Sequence, residues 1–377
     1  MNILIVSDSY KGCLSSIQAG NAMQKGTREL FPKAKITVLP VSDGGEGMLD
    51  AFEKVTEGDF LSIMAHNPLM RPINTQFLLS KDHSTAYIEI ARTAGLTLLN
   101  KEEKNPMITS TFGVGETVAA ALATGAQKII MGLGGSSTND AGTGMAKALG
   151  YKFLDANGIA LSGTGEILGN IETIDTSGMN QSLRKVAFTA ACDVKAPFCG
   201  PQGAACIFAA QKGANKENVQ KLDQGMMHFA RILFDYTGLE VAEYAGAGAA
   251  GGLGGALIAL FGAKMESGID LLLHTQRFQQ ALSKATFILT GEGCLDSQTS
   301  MGKTAWGILQ EGQKRNIPVL AVAGKIENIE AVLQTGYAGA ESATPLSQQL
   351  EIAMKPEVAT YNITQATKRL IQKWIDR

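Results

Sequence analysis

The sequence lacks several features that mark common classes of protein. It has no block of basic residues and no arginine-rich tail, and its formal net charge is −2, which argues against nucleic acid and anionic membranes as partners. Its five cysteines include no C-x-x-C pair, and its four histidines have no metal-ligand spacing. This pattern indicates free thiols in a reducing compartment rather than a disulfide framework or a zinc site.

Long apolar runs are also scarce. The run at residues 3–6 is too short for a signal peptide and has no basic start, so it indicates a buried strand. Residues 245–263 carry no charge, and their spaced glycines also fit a membrane helix with close-packing glycines. Most residues of this stretch are Gly or Ala, however, which favours a buried helix of a soluble protein. We therefore expect a cytoplasmic protein with no membrane partner.

Strand and helix signals alternate at both ends of the chain. Residues 3–6 and 36–39 are predicted strands near the beginning, and residues 287–290 and 318–323 are predicted strands near the end. A Ser-x-x-Gln capping box at residues 15–18 predicts the start of a helix. Short apolar strands that alternate with helices indicate a parallel sheet covered on both faces.

The middle of the chain is richer in glycine and less regular. Its predicted strands are residues 87–91, 128–131, 186–191 and 205–208.

With 377 residues, the chain is too long for one ordinary core. We predict an α/β fold with two α/β domains. One is a Rossmann-like parallel-sheet domain formed by residues 1–66 plus 285–377. The other is an inserted mixed α/β domain formed by residues 67–284.

Three loops share one structural context. Residues 8–12, 43–47 and 291–296 each follow a predicted strand and combine glycine with acidic residues. In an open parallel sheet, ligands bind at the carboxyl ends of the strands, where the strand order reverses. Glycine permits close backbone approach, helix N-termini offer N–H groups to anions, and carboxylates suit Mg²⁺ or a hydroxyl proton. Together the loops predict a ligand site, although each acid alone could instead cap a helix.

Two further segments carry polar residues after apolar strands. Residues 132–140 combine glycines with Ser, Thr, Asn and Asp, which predicts a backbone cradle for phosphate or carboxylate. Asp193 also ends an apolar run, where partial burial can tune the pKa of its carboxyl group. The alternative is that Asp193 caps a turn ahead of Pro197.

Two segments resemble familiar nucleotide-binding motifs, but one lacks a required residue and the other lacks the required structural context. Gly302, Lys303 and Thr304 resemble the end of a P-loop, but Ser297 stands where its first glycine is needed. Residues 246–251 match the Gly-x-Gly-x-x-Gly pattern, but no clear strand precedes them in a βαβ unit.

Short glycine-rich and acidic segments occur in a definite order along the chain. They are residues 8–12 (DSYKG), 43–47 (DGGEG), 110–115 (STFGVG), 134–140 (GGSSTND), 191–194 (ACDV), 211–214 (QKGA), 246–252 (GAGAAGG), 267–269 (SGI) and 290–303. In this order they resemble the motifs of the bacterial glycerate kinase family. Each segment alone is weak, but the ordered set is highly specific and covers nearly the whole chain.

The resemblance implies an ATP- and Mg²⁺-dependent kinase that forms 2-phosphoglycerate from D-glycerate, with its active site in the cleft between two α/β domains. The expected catalytic residues are Asp193, Lys11 and Asp8. Asp193 would accept the hydroxyl proton, and Lys11 would neutralise the transferring phosphate unless it is only a solvated surface lysine. The expected substrate- and nucleotide-binding residues are Ser9, Asp43, Gly44, Gly45, Glu46, Gly134, Gly135, Ser136, Ser137, Asn139, Asp140, Lys212, Glu292, Asp296, Gln298 and Lys303, with Asp43 and Asp296 as metal ligands.

The sequence departs from the family pattern at a few positions. Cys294 stands where an arginine is expected after Thr-Gly-Glu-Gly, and Ala305 replaces the usual proline. Arg92 replaces a small residue and could supply the missing charge.

Other functions are compatible with the same residues. A kinase that forms 3-phosphoglycerate, or one that acts on another small hydroxy acid, would need similar contacts. Residues 132–137 also resemble the phosphate loop of the galactokinase and homoserine kinase superfamily, but the acidic loops do not match that fold. A protein without catalytic activity, a sugar-acid sensor, is a further alternative. The presence of the acidic site residues and of Lys11 argues against it. The sequence leaves a homodimer open.

Overall fold

The computed structural model describes residues 1–42, 44–45, 47–295 and 304–376. By its internal contacts the chain divides into two compact units. The first unit is Met1–Asp43, Asp50–Thr56 and Ile269–Arg377, and the second is Gly44–Leu49 and Glu57–Gly268. The first unit has a five-stranded sheet and the second a six-stranded sheet.

The strands and α-helices follow one another along the chain. The elements of the first half are β1 (Asn2–Ser7), α1 (Ser16–Leu30), β2 (Lys35–Val38), α2 (Met48–Thr56), β3 (Asp59–His66), β4 (Pro72–Leu79), β5 (Thr85–Glu89), α3 (Ala91–Ala94), α4 (Phe112–Ala123), β6 (Lys128–Gly132), α5 (Thr143–Ala148), β7 (Lys152–Leu154), β8 (Thr173–Asp175) and β9 (Ala187–Ala191). Those of the second half are α6 (Ala204–Phe208), α7 (Lys216–Thr237), α8 (Leu253–Phe261), β10 (Lys264–Glu266), α9 (Gly268–Leu273), α10 (Gln276–Lys284), β11 (Phe287–Leu295), α11 (Thr304–Lys314), β12 (Val319–Ile326), α12 (Ile329–Gln334), β13 (Gly339–Ser342), α13 (Leu350–Ala353) and α14 (Pro356–Ile375). Short 3-10 helices span Leu96–Leu98, Lys101–Glu103, Gly165–Asn170, Gln181–Lys185 and Ala210–Lys212.

The sheet of the first unit is parallel throughout and draws its strands from both ends of the chain. Its order is β13-β12-β11-β1-β2, and each neighbouring pair is parallel. From β1 the chain moves to β2 on one side, and from β11 it moves to β12 and β13 on the other. The strand order therefore reverses between β1 and β11, the position where parallel sheets bind ligands. The prediction of a Rossmann-like parallel sheet from both chain ends is confirmed.

Helix α1 covers this sheet and begins at the predicted capping box. The Ser15 hydroxyl accepts the N–H of Gln18, and the Gln18 side chain accepts the N–H of Ser15. The helix packs against α14, and the Thr364 hydroxyl donates to the carbonyl of Ala22 at 3.1 Å. Local capping chemistry thus sets where α1 starts, and burial against α14 and the sheet holds it in place.

The sheet of the second unit is mixed, as predicted for the inserted domain. Its order is β10-β9-β6-β5-β4-β3. Strands β5, β6, β9 and β10 are parallel to one another, and β3 and β4 are antiparallel additions. Register places Glu89, Gly132, Ala191 and Glu266 in one row across the carboxyl ends of the parallel strands. A separate pair, β7 and β8, is antiparallel.

Three predicted strands differ from the structure. The strand predicted at residues 87–91 is β5 (Thr85–Glu89), and Ala91 begins α3. Residues 205–208 lie in helix α6, so the strand prediction there was wrong. Alanine favours helix, and a run of four apolar residues does not distinguish helix from strand by pattern. The strand predicted at residues 287–290 continues to Leu295 because β12 pairs with it as far as Ile326.

The uncharged stretch at residues 245–263 is only partly helical. Helix α8 covers Leu253–Phe261 and is largely buried. Before it, Gly246, Gly251 and Gly252 have φ values of 89°, 68° and 90°, which a right-handed helix does not allow. Among the described residues, no helix is both long enough and apolar enough to cross a bilayer.

Candidate functional site

Asp8 lies at the reversal point of the parallel sheet. It follows β1, and its backbone N–H donates to the carbonyl of Gly291 in β11 at 2.8 Å. One carboxylate oxygen accepts the N–H of Ser9 at 2.6 Å, and the other accepts the hydroxyl of Thr304 at 2.9 Å. The predicted residues Asp8 and Ser9 are therefore held by hydrogen bonds at the edge where a ligand is expected.

Tyr10 anchors the turn that carries Lys11. The Tyr10 hydroxyl is buried and donates to the carbonyl of Val322 at 2.7 Å, and burial raises its pKa well above the ordinary value. A Cβ at Gly291 would lie 2.8 Å from this hydroxyl and closer still to the Val322 carbonyl. This position of β11 therefore has room only for glycine, because the Val322 carbonyl and the side chains of Met23 and Tyr10 all lie within 3 Å of an added Cβ. Lys11 itself is exposed, on the turn before Gly12.

Glu292 occupies the buried part of β11 instead of a loop. Its charge contributes to the raised pKa of Tyr10 and of Tyr337. Two residues further on, Cys294 is exposed and stands in register with Lys325 of β12. A lysine on the neighbouring strand is therefore next to the position where an arginine was expected. The alternative source of charge, Arg92, places its guanidinium 5.6 Å from the centre of the Phe60 ring.

Five of the predicted site residues lie outside the described residues: Asp43, Glu46, Asp296, Gln298 and Lys303. Gly44 and Gly45 are described and lie against the second unit's sheet. The Gly134 N–H donates to the carbonyl of Gly44 at 3.2 Å, and a Cβ at Gly134 would collide with the Cα of Gly45. A Cβ at Gly44 would in turn lie 2.5 Å from the carbonyl of Ala191. The structure therefore brings two of the predicted glycine loops into backbone contact.

Glu89 is a buried acid that the sequence analysis did not select. It ends β5, and its carboxylate accepts the N–H of Gly47 at 3.3 Å and that of Leu49 at 3.2 Å. The strand predicted at residues 87–91 placed Glu89 in its interior, and only the observed end of β5 gives Glu89 the strand-end position that singled out Asp193.

The 132–140 loop is accessible only at Gly134 and Gly135 and is buried on either side of them. Gly135 is exposed, Ser136 is 6% exposed and Ser137 only 1%. The Ser137 hydroxyl donates to the carbonyl of Ala94 at 3.0 Å. The Asn139 amide contacts the sulfur of Met226 at 3.2 Å. A bound anion would meet Gly134, Gly135 and Ser136 before the deeper residues.

Asp140 holds the buried end of this loop. One carboxylate oxygen accepts the Thr111 N–H and hydroxyl, both at 2.7 Å, and the N–H of Gly144 at 3.2 Å. The other accepts the N–H of Gly142 at 3.3 Å. Complete burial raises the pKa of Asp140, and these hydrogen bonds oppose that rise.

Lys212 reaches the loop from the interior. Its side chain is 2% exposed, and its Nζ donates to Ser136 Oγ at 2.9 Å and to the carbonyl of Thr138 at 2.7 Å. Burial lowers the pKa of Lys212 to about 7, while the charge of Asp140 acts in the opposite direction.

Asp193 follows β9 at the same sheet edge. Its residue is partly exposed, although its Oδ2 atom is buried. The neighbouring Cys192 donates its N–H to the carbonyl of Glu266 at 2.9 Å, and the Leu133 N–H donates to the carbonyl of Ala191 at 3.2 Å. Main-chain pairing therefore sets Asp193 beside the start of the 132–140 loop. Lys11 and Asp8 belong to the other unit.

The described residues contain no group of three or more His, Cys, Asp and Glu side chains that could hold a metal ion. The two predicted metal ligands, Asp43 and Asp296, are outside that part of the chain.

Comparison with known proteins shows similarity over nearly the full length. The sequence model of the Glycerate kinase family matches residues 3–375. A glycerate kinase of Bacillus cereus is 39% identical over 99% of this chain and 98% of its own length. A glycerate 2-kinase of Escherichia coli K12 is 39% identical over 89% of this chain and 88% of its own. A solved Salmonella typhimurium LT2 structure, provisionally named glycerate kinase 2, has a TM-score of 0.86 and 34% identity, covering 100% of this chain and 98% of that one.

Proposed function

Because this chain belongs to the glycerate kinase family, we propose that it transfers the terminal phosphate of ATP to the 2-hydroxyl of D-glycerate, forming 2-phosphoglycerate. The observation that carries the proposal is the pairing of β6 with β9. It pairs Gly132, where the glycine and hydroxyl loop begins, with Ala191, two residues before Asp193. An anion-binding loop next to an acid is the combination that phosphate transfer to an alcohol needs.

Asp193 is the proposed acceptor of the substrate's hydroxyl proton. An alcohol is a poor nucleophile, and a positioned carboxylate orients it and takes its proton during the transfer. Lys11 is proposed to neutralise the transferring phosphate oxygens, because its exposed ammonium follows the strand end that carries Asp8. The proposed binding residues include Ser9, Gly44, Gly45, Gly134, Gly135 and Glu292.

Mg²⁺ is part of the proposal as the ion that accompanies ATP. It usually binds one or two carboxylates together with nucleotide phosphates and waters, so it does not require a cluster of protein ligands. Asp43 and Asp296 are the proposed carboxylates, and the ion would neutralise phosphate charge.

The ³¹P spectrum of the product tests the reaction. With ATP, Mg²⁺ and D-glycerate, we expect a new phosphate ester whose phosphorus couples to the single proton on carbon 2. Coupling to the two protons on carbon 3 would instead identify 3-phosphoglycerate. Turnover should stop when EDTA removes Mg²⁺ and resume when Mg²⁺ is restored in excess.

The same assay separates the remaining alternatives. Turnover of another hydroxy acid, of galactose or of homoserine, with none on glycerate, would contradict the proposed substrate. Binding of glycerate without any ATP consumption would indicate a sensor. We further propose a cytoplasmic location and a homodimer, and light scattering of the purified chain measures its oligomeric state.

A further inference from the structure

While Lys212 is protonated, its contact with Ser136 fixes the direction of a hydrogen bond. A lysine ammonium has donors but no acceptor, and Nζ lies 2.9 Å from Ser136 Oγ. The serine oxygen therefore accepts, and its own O–H must point elsewhere. Among the residues that the structure describes, this hydroxyl has no acceptor.

Ser136 lies where the loop passes from its exposed tip to its buried part. Ser136 is the last residue of the loop that keeps more than a trace of exposure, at 6%, whereas Thr138, Asn139 and Asp140 have none. Gly135, just before it, is exposed. A ligand at the glycine tip would meet the Ser136 hydroxyl on the buried side of the loop.

Lys212 cannot make that contact itself. It is 2% exposed, and two of its three N–H donors are used by Ser136 and by the Thr138 carbonyl. Its effect on a ligand must pass through the groups that it holds. A hydroxyl that accepts a bond from an ammonium is polarised and becomes a stronger donor.

We propose that Lys212 is a positioning residue that acts through Ser136, whose hydroxyl donates to an anionic oxygen of a substrate. The proposal rests on the proposed function and refines it. The oxygen belongs to the carboxylate of glycerate or to a phosphate of ATP, which share this chemistry. The effect of each variant on the two substrates separately tells them apart.

The test is a double-mutant cycle with Ser136→Ala, Lys212→Met and the double variant. A hydrogen bond to a charged group predicts that Ser136→Ala raises the KM of one substrate about 10- to 100-fold and changes kcat much less. Lys212→Met should raise the KM of the same substrate. The double variant should raise it no further than the larger single effect, because both changes remove one interaction. Lys212→Arg retains a cationic donor and should raise KM less than Lys212→Met.

Lys147→Met is the matched control. Lys147 is an exposed lysine of the same unit whose Nζ donates to a backbone carbonyl, that of Leu161, at 3.2 Å. It should leave both KM values unchanged. Additive effects of the two single variants, or a loss of kcat with both KM values unchanged, would overturn the proposal.

Calorimetry with ATP and with D-glycerate, each alone, keeps the test independent of turnover. One of the two affinities should fall in Ser136→Ala. This variant keeps the buried lysine, so the test remains possible if Lys212→Met does not fold. Equal affinities in wild type and Ser136→Ala for both compounds would overturn the proposal. If wild type binds both compounds but does not phosphorylate glycerate, the proposed function fails, and the affinities for ATP and D-glycerate together still decide the role of Ser136.

Discussion

The buried carboxylate of Glu89 accepts the backbone N–H of Leu49 at 3.2 Å, where helix α2 begins. It also accepts the N–H of Gly47 at 3.3 Å. A negative charge at the first turn of a helix is favourable because the unpaired N–H groups there carry partial positive charge. Strand β5 thus supplies a cap for α2 from a distant part of the chain, and it ties Gly47 and Leu49 to the second sheet.

We predict that Glu89→Gln disturbs this segment while keeping the side-chain shape. The amide can accept only through one atom and presents its NH₂ group to a backbone donor. Loss of a charged hydrogen bond should lower the free energy of unfolding by about 1–3 kcal/mol. Misplacement of Gly44 and Gly45 should lower kcat/KM by about 10- to 100-fold. Urea denaturation and steady-state kinetics measure the two effects.

Glu116→Gln is the control for this substitution. Glu116, on α4, also accepts a backbone N–H through its carboxylate, that of His66 at 2.8 Å, and the same carboxylate contacts the His66 ring. It should lose stability with kcat/KM within a few-fold of wild type. Equal kinetic losses in both variants would mean that Glu89 has no special relation to the site.

Lys11→Ala should lower kcat by about 100-fold or more, because removing a donor aimed at developing phosphate charge typically has that effect. The side chain is exposed, so the free energy of unfolding should change by less than about 0.5 kcal/mol. Lys314→Ala, which removes an exposed lysine that pairs with Glu311 in the same unit, should leave kcat unchanged. A kcat/KM within a few-fold of wild type would make Lys11 an ordinary surface residue.

Much of the fold is predictable from local signals. The capping box of Ser15 and Gln18 marks the start of α1 to the residue, and short apolar strands between helices indicate a parallel sheet. Residues 205–208 were not predictable in this way, since a run of four apolar residues has no spacing that separates a short helix from a strand. Pairing with β12 lengthens β11 beyond Thr290, a tertiary effect that a strand's own residues do not report.

In the candidate site, too, local sequence signals predict some features and tertiary packing decides the others. The strand-end positions of Asp8 and Asp193 follow from sequence pattern alone. The burial of Lys212 does not follow from sequence pattern, because Lys212 packs against a distant part of the chain. Its partner Ser136 is 76 residues away in the sequence. Gly291 lies in strand β11, where the carbonyl of Val322 and the side chains of Met23 and Tyr10 leave no room for a Cβ. Local pattern finds the strand ends, and long-range packing decides which polar residues face a ligand and which face the core.

The stability of the chain should depend on pH through Lys212. Burial lowers its pKa from 10.5 to about 7, so between these values the unfolded chain binds more protons than the folded chain. The free energy of unfolding therefore rises with pH across this window, and burial of Lys212 is most destabilising at and below its lower end. Asp140 is the charged group that faces it and opposes the shift.

Lys212→Met lacks this titration, so its stability should fall behind that of wild type between pH 7 and 9. The difference should change by at most about 1.4 kcal/mol per pH unit. Urea denaturation at each pH measures it, and Lys147→Met should follow wild type. Parallel curves for wild type and Lys212→Met would show that the buried lysine keeps an ordinary pKa.

Asp193 is the proposed general base. The alternative is that its carboxylate only caps a turn. Asp193→Asn should lower kcat about 10²- to 10⁴-fold with ATP affinity retained, because the amide keeps the shape but cannot take a proton. Asp155→Asn is the matched control: Asp155 also follows a strand, β7, and its carboxylate accepts the N–H groups of Asn157 and Ile159. That variant should lose stability but not kcat. If Asp193→Asn behaves like the control, Asp193 caps a turn and Asp8 becomes the next base to test. Loss of ATP binding without a change in kcat would move Asp193 to the nucleotide site.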